Sequence, residues 1–117
     1  MINKSKNYKA VLPLLLLGVL FFSNAASANT WTTAAKITQI YSAASDRVYV
    51  KVEGTMINPA SCSSSLYYSL AADNTGKDQI FSQMISSATT GHEVEFSLSN
   101  SNCDGSYPEI RHIRVDY

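Results

Sequence analysis

The sequence predicts a small, mainly β domain with one helix, in the order β-β-β-α-β-β. Two observations support this fold class. Five segments alternate apolar and polar residues with a period of two, the first of them imperfectly, which is typical of half-buried strands. One segment between the third and fourth of them has the apolar spacing of an amphipathic helix. The chain has 117 residues, which allows one domain and not two.

The five strands are bounded by turn residues. In chain order they are predicted over 35–43, 47–53, 64–71, 92–99 and 109–117. The second is the clearest, because valine alternates strictly with polar residues over 48–52. In the third, Leu66 shares a face with Leu70. In the fifth, Ile110 lies out of register with the later apolar residues, which predicts a β-bulge near Arg111.

The helix is predicted between the third and fourth strands. Its apolar face consists of Ile80, Phe81, Met84, Ile85 and Ala88. Thr75 is the predicted N-cap, with Asp78 in the first turn, where an acidic residue suits the positive end of the helix. Gly91 suits the C′ position, where a left-handed backbone ends many helices. A polar loop over 100–106 is predicted to join the last two strands.

This order of elements is that of the OB-fold, a five-stranded barrel. Five short antiparallel strands lose their unpaired edges when they curl into a barrel, and the helix then plugs one open end. We therefore predict a five-stranded OB-like barrel. An open antiparallel α+β sheet, with the helix packed on it, is the alternative architecture.

The first 28 residues have the layout of a secretory signal peptide. Three lysines precede an apolar run over 10–22, and Ala26-Ser27-Ala28 follows as a cleavage site. The run is shorter than the about 20 residues that a transmembrane helix needs. We expect an exported protein, periplasmic or secreted, whose single OB-like domain spans 29–117. Without the three lysines, six basic residues face nine acidic ones, and this net charge of −3 disfavours nucleic acid as a partner.

The chain has two cysteines, Cys62 and Cys103. In an exported chain a pair of cysteines predicts one disulfide, here between the beginning of the third strand and the loop over 100–106. The spacing is not that of a CxxC redox motif. Two distant histidines do not complete a zinc site. We therefore expect a structural disulfide, no metal and no cofactor.

The candidate ligand site is aromatic. Tyr49 and Tyr67 lie on the faces opposite the inward valines and leucines of the second and third strands. Tyr107 follows the loop that the disulfide is expected to hold. Outward tyrosines offer flat apolar area with a polar hydroxyl, which suits stacking on sugars or packing on proteins. OB-folds bind ligands on strands two and three and the flanking loops. The predicted ligand-binding residues are Tyr49, Tyr67, Asn102, Asp104 and Tyr107. The alternative is that these rings pair across strands and shield the sheet.

No catalytic residue is predicted. Glu93 and Glu95 share the polar face of the fourth strand, but acid catalysis needs one carboxyl with a pKa raised by burial. No serine lies in a G-x-S-x-G motif. We therefore expect a protein that is not an enzyme.

Most of the segment after residue 28 resembles a group of small proteins exported by Gram-negative bacteria. The matching positions are Trp31, 37–41, 48–52, Asn58-Pro59, Cys62, Gly91, 94–98, Cys103 and 110–115. A more distant similarity, in the helix and in Thr90-Gly91-His92-Glu93-Val94, is to the B subunits of A-B toxins such as subtilase cytotoxin. Those subunits are exported OB-folds that form pentameric rings and bind glycans. The resemblance implies an OB-fold, a homo-oligomer and a glycan ligand.

The leading hypothesis is an exported, non-enzymatic binding module for a glycan or a protein surface, without membrane insertion after the leader is cleaved. The alternative is a structural or assembly protein of the periplasm that has no small ligand.

Overall fold

A computed structural model describes residues 27–117. Residues 1–26 of the predicted signal peptide lie outside the described residues. The elements are β1 (Asn29–Trp31), β2 (Ala35–Ser42), β3 (Val48–Val52), β4 (Tyr68–Leu70), α1 (Lys77–Thr90), β5 (Glu93–Asp104) and β6 (Tyr107–Val115). No helix in 27–117 is long and apolar enough to cross a membrane.

The strands form one mixed sheet that closes into a ring. β2 pairs with β3 and β3 with β4, both antiparallel, and β4 meets β6 in a parallel pairing of Ser69 with Glu109. β6 pairs with β5, and β5 returns to β2 and also pairs with β1. The mainly β fold with one helix is confirmed. An open, wholly antiparallel sheet does not describe this ring, because the β4–β6 pairing is parallel and closes it.

The core lies inside the ring and beneath the helix. Its largest fully buried side chains include Tyr68, Phe96, Leu70, Met84, Leu98 and Ile110. Val48 and Val50 are buried as the alternation predicts. The bulge near Arg111 is also confirmed, because Ser97 pairs with His112 while Leu98 pairs with Ile110. The extra residue turns Ile110 into the core.

The helix differs from its prediction at its start and along its face. It begins after Gly76 and not Thr75, because Asn74 accepts the Gly76 N–H on its side chain and the Lys77 N–H on its carbonyl. Ile80 and Met84 are buried, whereas Ile85 and Ala88 are exposed and Ser87 is buried in their place. Gly91 ends the helix in the left-handed conformation, at φ 75°, as predicted.

The segments around the disulfide also differ from their predictions. The third predicted strand is reduced to β4, and Leu66 is 52% exposed. The cause is that the Ser64 N–H bonds to the Ser106 carbonyl and not to β3. The predicted loop over 100–106 is wrong for most of its length, since β5 continues to Asp104 and only the turn at Gly105 and Ser106 remains. β1 was missed because three residues are too few to show a period.

Tyr68→Phe is expected to lower the free energy of unfolding by about 1–3 kcal/mol, because the part-buried Ile57 N–H loses its acceptor. Tyr68 is fully buried, and its hydroxyl accepts the Ile57 N–H at 2.9 Å. Desolvation raises the pKa of Tyr68, and the bond from Ile57 lowers it in part. Urea unfolding measures the loss, with the 80% exposed Tyr117→Phe as the matched control. Equal midpoints for the two variants would contradict this role of the hydroxyl.

Candidate functional site

Four tyrosines meet on the outer face of the ring. Tyr49 lies between two buried valines of β3 and therefore points outward, and Tyr41 is its cross-strand partner on β2. Tyr67 comes immediately before β4, and Tyr107 begins β6. Neighbouring ring centroids lie 5.2–6.4 Å apart. We call Tyr41, Tyr49, Tyr67 and Tyr107 the tyrosine face.

Tyr49 is the centre of this cluster. Its ring stacks on Tyr41 at 5.8 Å, lies 5.7 Å from Tyr67, and meets Tyr107 edge to face at 5.2 Å. Tyr49, Tyr67 and Tyr107 are half-buried, and Tyr41 is 52% exposed. Among residues 27–117, the one tyrosine hydroxyl with a protein hydrogen-bond partner is that of Tyr68. The rings of the tyrosine face are therefore fixed by one another, while their hydroxyls stay free to bond to a ligand.

Charged side chains lie beside and beneath the tyrosine face. Lys51 places its ammonium 5.3 Å from the centroid of Tyr67, a cation–π contact. Arg47 pairs with Asp104 at 3.3 Å, and Asp104 also accepts the hydroxyl of the fully buried Ser69 at 2.5 Å. Asp104 thus satisfies a buried donor and fixes the position of Arg47. Its own side chain is only 10% exposed.

The structure brings together most of the residues that the sequence singled out. Tyr49, Tyr67 and Tyr107 are in contact, and Asp104 bonds to Ser69, the cross-strand partner of Tyr49. Asn102 is exposed, and its backbone N–H bonds to Ser99 Oγ. Within the described residues, the Asn102 side chain takes no part in the hydrogen bonds beneath the tyrosine face.

Sequence reasoning missed Tyr41 and the two cations. The alternation of β2 is imperfect, with a register irregularity between Ile37 and Gln39, so the outward side of the strand could not be read. The available signal was the hairpin itself. Pairing Ser42 with Val48 across the turn places Tyr41 opposite Tyr49.

The predicted disulfide between Cys62 and Cys103 is confirmed, with Cα atoms 5.8 Å apart. It joins the irregular segment before β4 to the end of β5. The Asn58 side chain bonds to both the N–H and the carbonyl of Cys62, each at 2.8 Å. Tyr67 and Tyr107 follow the two cysteines by five and four positions. Between them, the Ser64 N–H bonds to the Ser106 carbonyl at 2.9 Å, which adds a second link between the two segments.

A second outer surface surrounds Trp31, which is 41% exposed. The Arg114 guanidinium lies 4.2 Å from its ring centroid and forms two hydrogen bonds with Glu95. The bond to Glu95 raises the pKa of Arg114, partly offset by desolvation. Glu95 is therefore engaged in an ion pair.

Among residues 27–117, no group of three or more histidine, cysteine, aspartate or glutamate side chains is placed to hold a metal ion. No protein-family model matches the chain, and a search of curated proteins finds no significant match. The evidence for a function therefore comes from the geometry of the tyrosine face.

Proposed function

We propose that the chain is an exported, non-enzymatic binding module whose tyrosine face binds a glycan or a protein surface. The observation that supports this most is the contact of four outward tyrosines whose hydroxyls have no protein partner within 27–117. The disulfide supports export, because such bonds persist in oxidising compartments.

The chemistry of tyrosine suits a recognition surface. Each ring offers a large, rigid apolar area with few rotatable bonds, and each hydroxyl can donate or accept a hydrogen bond. Here the rings pack on one another and the backbone beneath is tied by a disulfide. Little conformational entropy is lost when such a surface binds, which favours affinity.

The position of the tyrosine face supports an OB-like barrel, which we propose as the finer description of the ring. If β1 and β2 count as one curved strand, the five strands have the OB order. β3 and β4 are then strands two and three, whose face binds ligands in OB-folds. Tyr49 lies on β3 and Tyr67 precedes β4, while Arg47 and Tyr107 adjoin the two flanking loops.

An assembly protein without a small ligand is the second candidate. Leu66 and Ile85 are 52% and 43% exposed, and a second copy of the chain could cover such residues. The distant toxin-subunit resemblance implies the same kind of homo-oligomer. Sedimentation over a wide concentration range measures the oligomeric state, and a monomer at every concentration would contradict this candidate function.

The test of the binding module combines a glycan array with pull-downs from periplasmic extract and culture medium. We expect a ligand from one of them to be retained by the wild type and by Tyr117→Ala, an exposed tyrosine outside the tyrosine face. We expect Tyr67→Ala to lose it. Folded protein that retains nothing in either assay, or equal retention by all three forms, would contradict the proposal.

A further inference from the structure

A groove separate from the tyrosine face lies between α1 and β6. It has a volume of about 570 Å³, within the ~300–1,000 Å³ of small-molecule sites. The pairing of β6 with β4 ends at Glu109. Beyond it, residues 111–113 of β6 lie opposite the first half of α1. The groove thus lies just beyond the β4–β6 pairing that closes the ring, where the helix and not β4 is opposite β6.

The helix wall carries side-chain amides. Gln79 and Gln83 are four residues apart, so they share one helical face, and both are exposed. Asn74 stands at the end of this wall, where its amide donates to the Ile110 carbonyl at 3.2 Å and accepts from Gly76 at 2.8 Å. The two glutamines therefore offer free donors and acceptors beside a fixed rim.

The strand wall owes its polarity to the β-bulge. Because Arg111 is the extra residue, both it and His112 are exposed and line the groove in succession. The imidazole of His112 stacks on Trp31, with centroids 6.4 Å apart, across the small and buried Ser97. Trp31 thereby holds His112 at the rim of the groove.

The charges of the groove disfavour an anionic ligand. Arg111 pairs with Glu109 at 3.5 Å, and Asp73 adds a further negative charge to the lining. A phosphate or carboxylate would meet no excess positive charge. The half-buried Ile113 and the small exposed part of Ile80 form an apolar area between the polar walls, which suits the C–H face of a sugar ring. Amides, an imidazole and a guanidinium together match vicinal hydroxyls, which both donate and accept hydrogen bonds.

We propose that this groove binds a neutral mono- or disaccharide, independently of the tyrosine face. The test is an NMR titration of the isotope-labelled, disulfide-bonded protein with glucose, galactose, N-acetylglucosamine, maltose and cellobiose. Glucuronate and glucose 6-phosphate serve as charged counterparts. We expect at least one neutral sugar to shift the side-chain amide signals of Gln79 and Gln83 and the imidazole signals of His112.

Replacing both glutamines, Gln79→Ala with Gln83→Ala, is expected to weaken this binding at least about tenfold, or ~1.4 kcal/mol. Gln39→Ala is the matched control, because Gln39 is an exposed glutamine on β2 that does not line the groove. Tyr49→Ala should leave the titration unchanged, so failure here is distinguishable from failure of the tyrosine face.

Three results would overturn the proposal. One is a folded protein whose signals do not move at sugar concentrations of about 10 mM, tenfold above a ~1 mM dissociation constant worth ~4 kcal/mol. Another is a set of shifts confined to the tyrosine face. The third is stronger binding of the charged sugars than of the neutral ones.

Discussion

Replacing both cysteines, Cys62→Ser with Cys103→Ser, is expected to lower the free energy of unfolding by about 4 kcal/mol. The disulfide closes a loop of 41 positions, and chain entropy gives a loss of ~4 kcal/mol for a loop of that length. Small domains have only about 5–15 kcal/mol in total. We therefore expect the double variant to be close to its unfolding transition at physiological temperature.

Denaturant unfolding of the oxidised wild type, the reduced wild type and the double variant measures this loss. The unfolding curves of the reduced wild type and of the double variant should coincide, because the two proteins differ only in the replacement of two thiols by two hydroxyls. Adding reductant to the variant should change nothing. A stability loss below about 1 kcal/mol in both would contradict the view that the disulfide restricts the unfolded chain.

Removing the two central rings, Tyr49→Ala with Tyr67→Ala, is expected to weaken ligand binding at least about 30-fold, or ~2 kcal/mol, the threshold of a binding hot spot. Tyr49 contacts the three other rings of the tyrosine face, and Tyr67 receives Lys51. Their loss removes flat apolar area and also frees Tyr41 and Tyr107 to move. Calorimetric titration with the glycan or protein captured in the screen measures the change.

Two controls separate binding from folding in that experiment. Tyr117→Ala removes an exposed tyrosine outside the tyrosine face and should bind as the wild type does. Tyr49→Phe with Tyr67→Phe keeps the rings but removes their free hydroxyls, so its loss should fall between the two extremes. A folded alanine double variant that binds with wild-type affinity would show that the ligand site lies elsewhere.

Local patterns predict the elements that their own residues determine. The strict alternation over 48–52 located β3, because its inward valines are β-branched residues, of which the core buries Val48 and Val50 and half-buries Val52. The out-of-register Ile110 located the bulge for the same reason. Burial of its apolar side chain is favourable, and an extra residue in the strand turns that side chain into the core. Gly91 was predictable because the end of a helix needs a residue that tolerates positive φ.

Features that depend on distant partners could not be predicted from local pattern. The residues of 100–104 are mostly polar and read as a loop, yet β5 continues through them and Cys103 and Asp104 pair with β6. Ser87 occupies a buried helix position where the apolar pattern favoured Ala88. Tyr41 joins the site only through its pairing with β3. Asp104 was predicted as a site residue, but its bonds to Ser69 and Arg47 were not. The sequence thus predicted three of the four rings, and its alternative interpretation included their pairing across strands, but it did not predict the contact with Tyr41.

A map of the bound ligand on the tyrosine rings tests the central claim most directly. In the purified protein with labelled tyrosines, titration with the captured ligand is predicted to shift the ring signals of Tyr41, Tyr49, Tyr67 and Tyr107. The fully buried Tyr68 and the distant, exposed Tyr117 should keep their positions. Ligand binding that leaves the four rings of the tyrosine face unchanged would contradict the account.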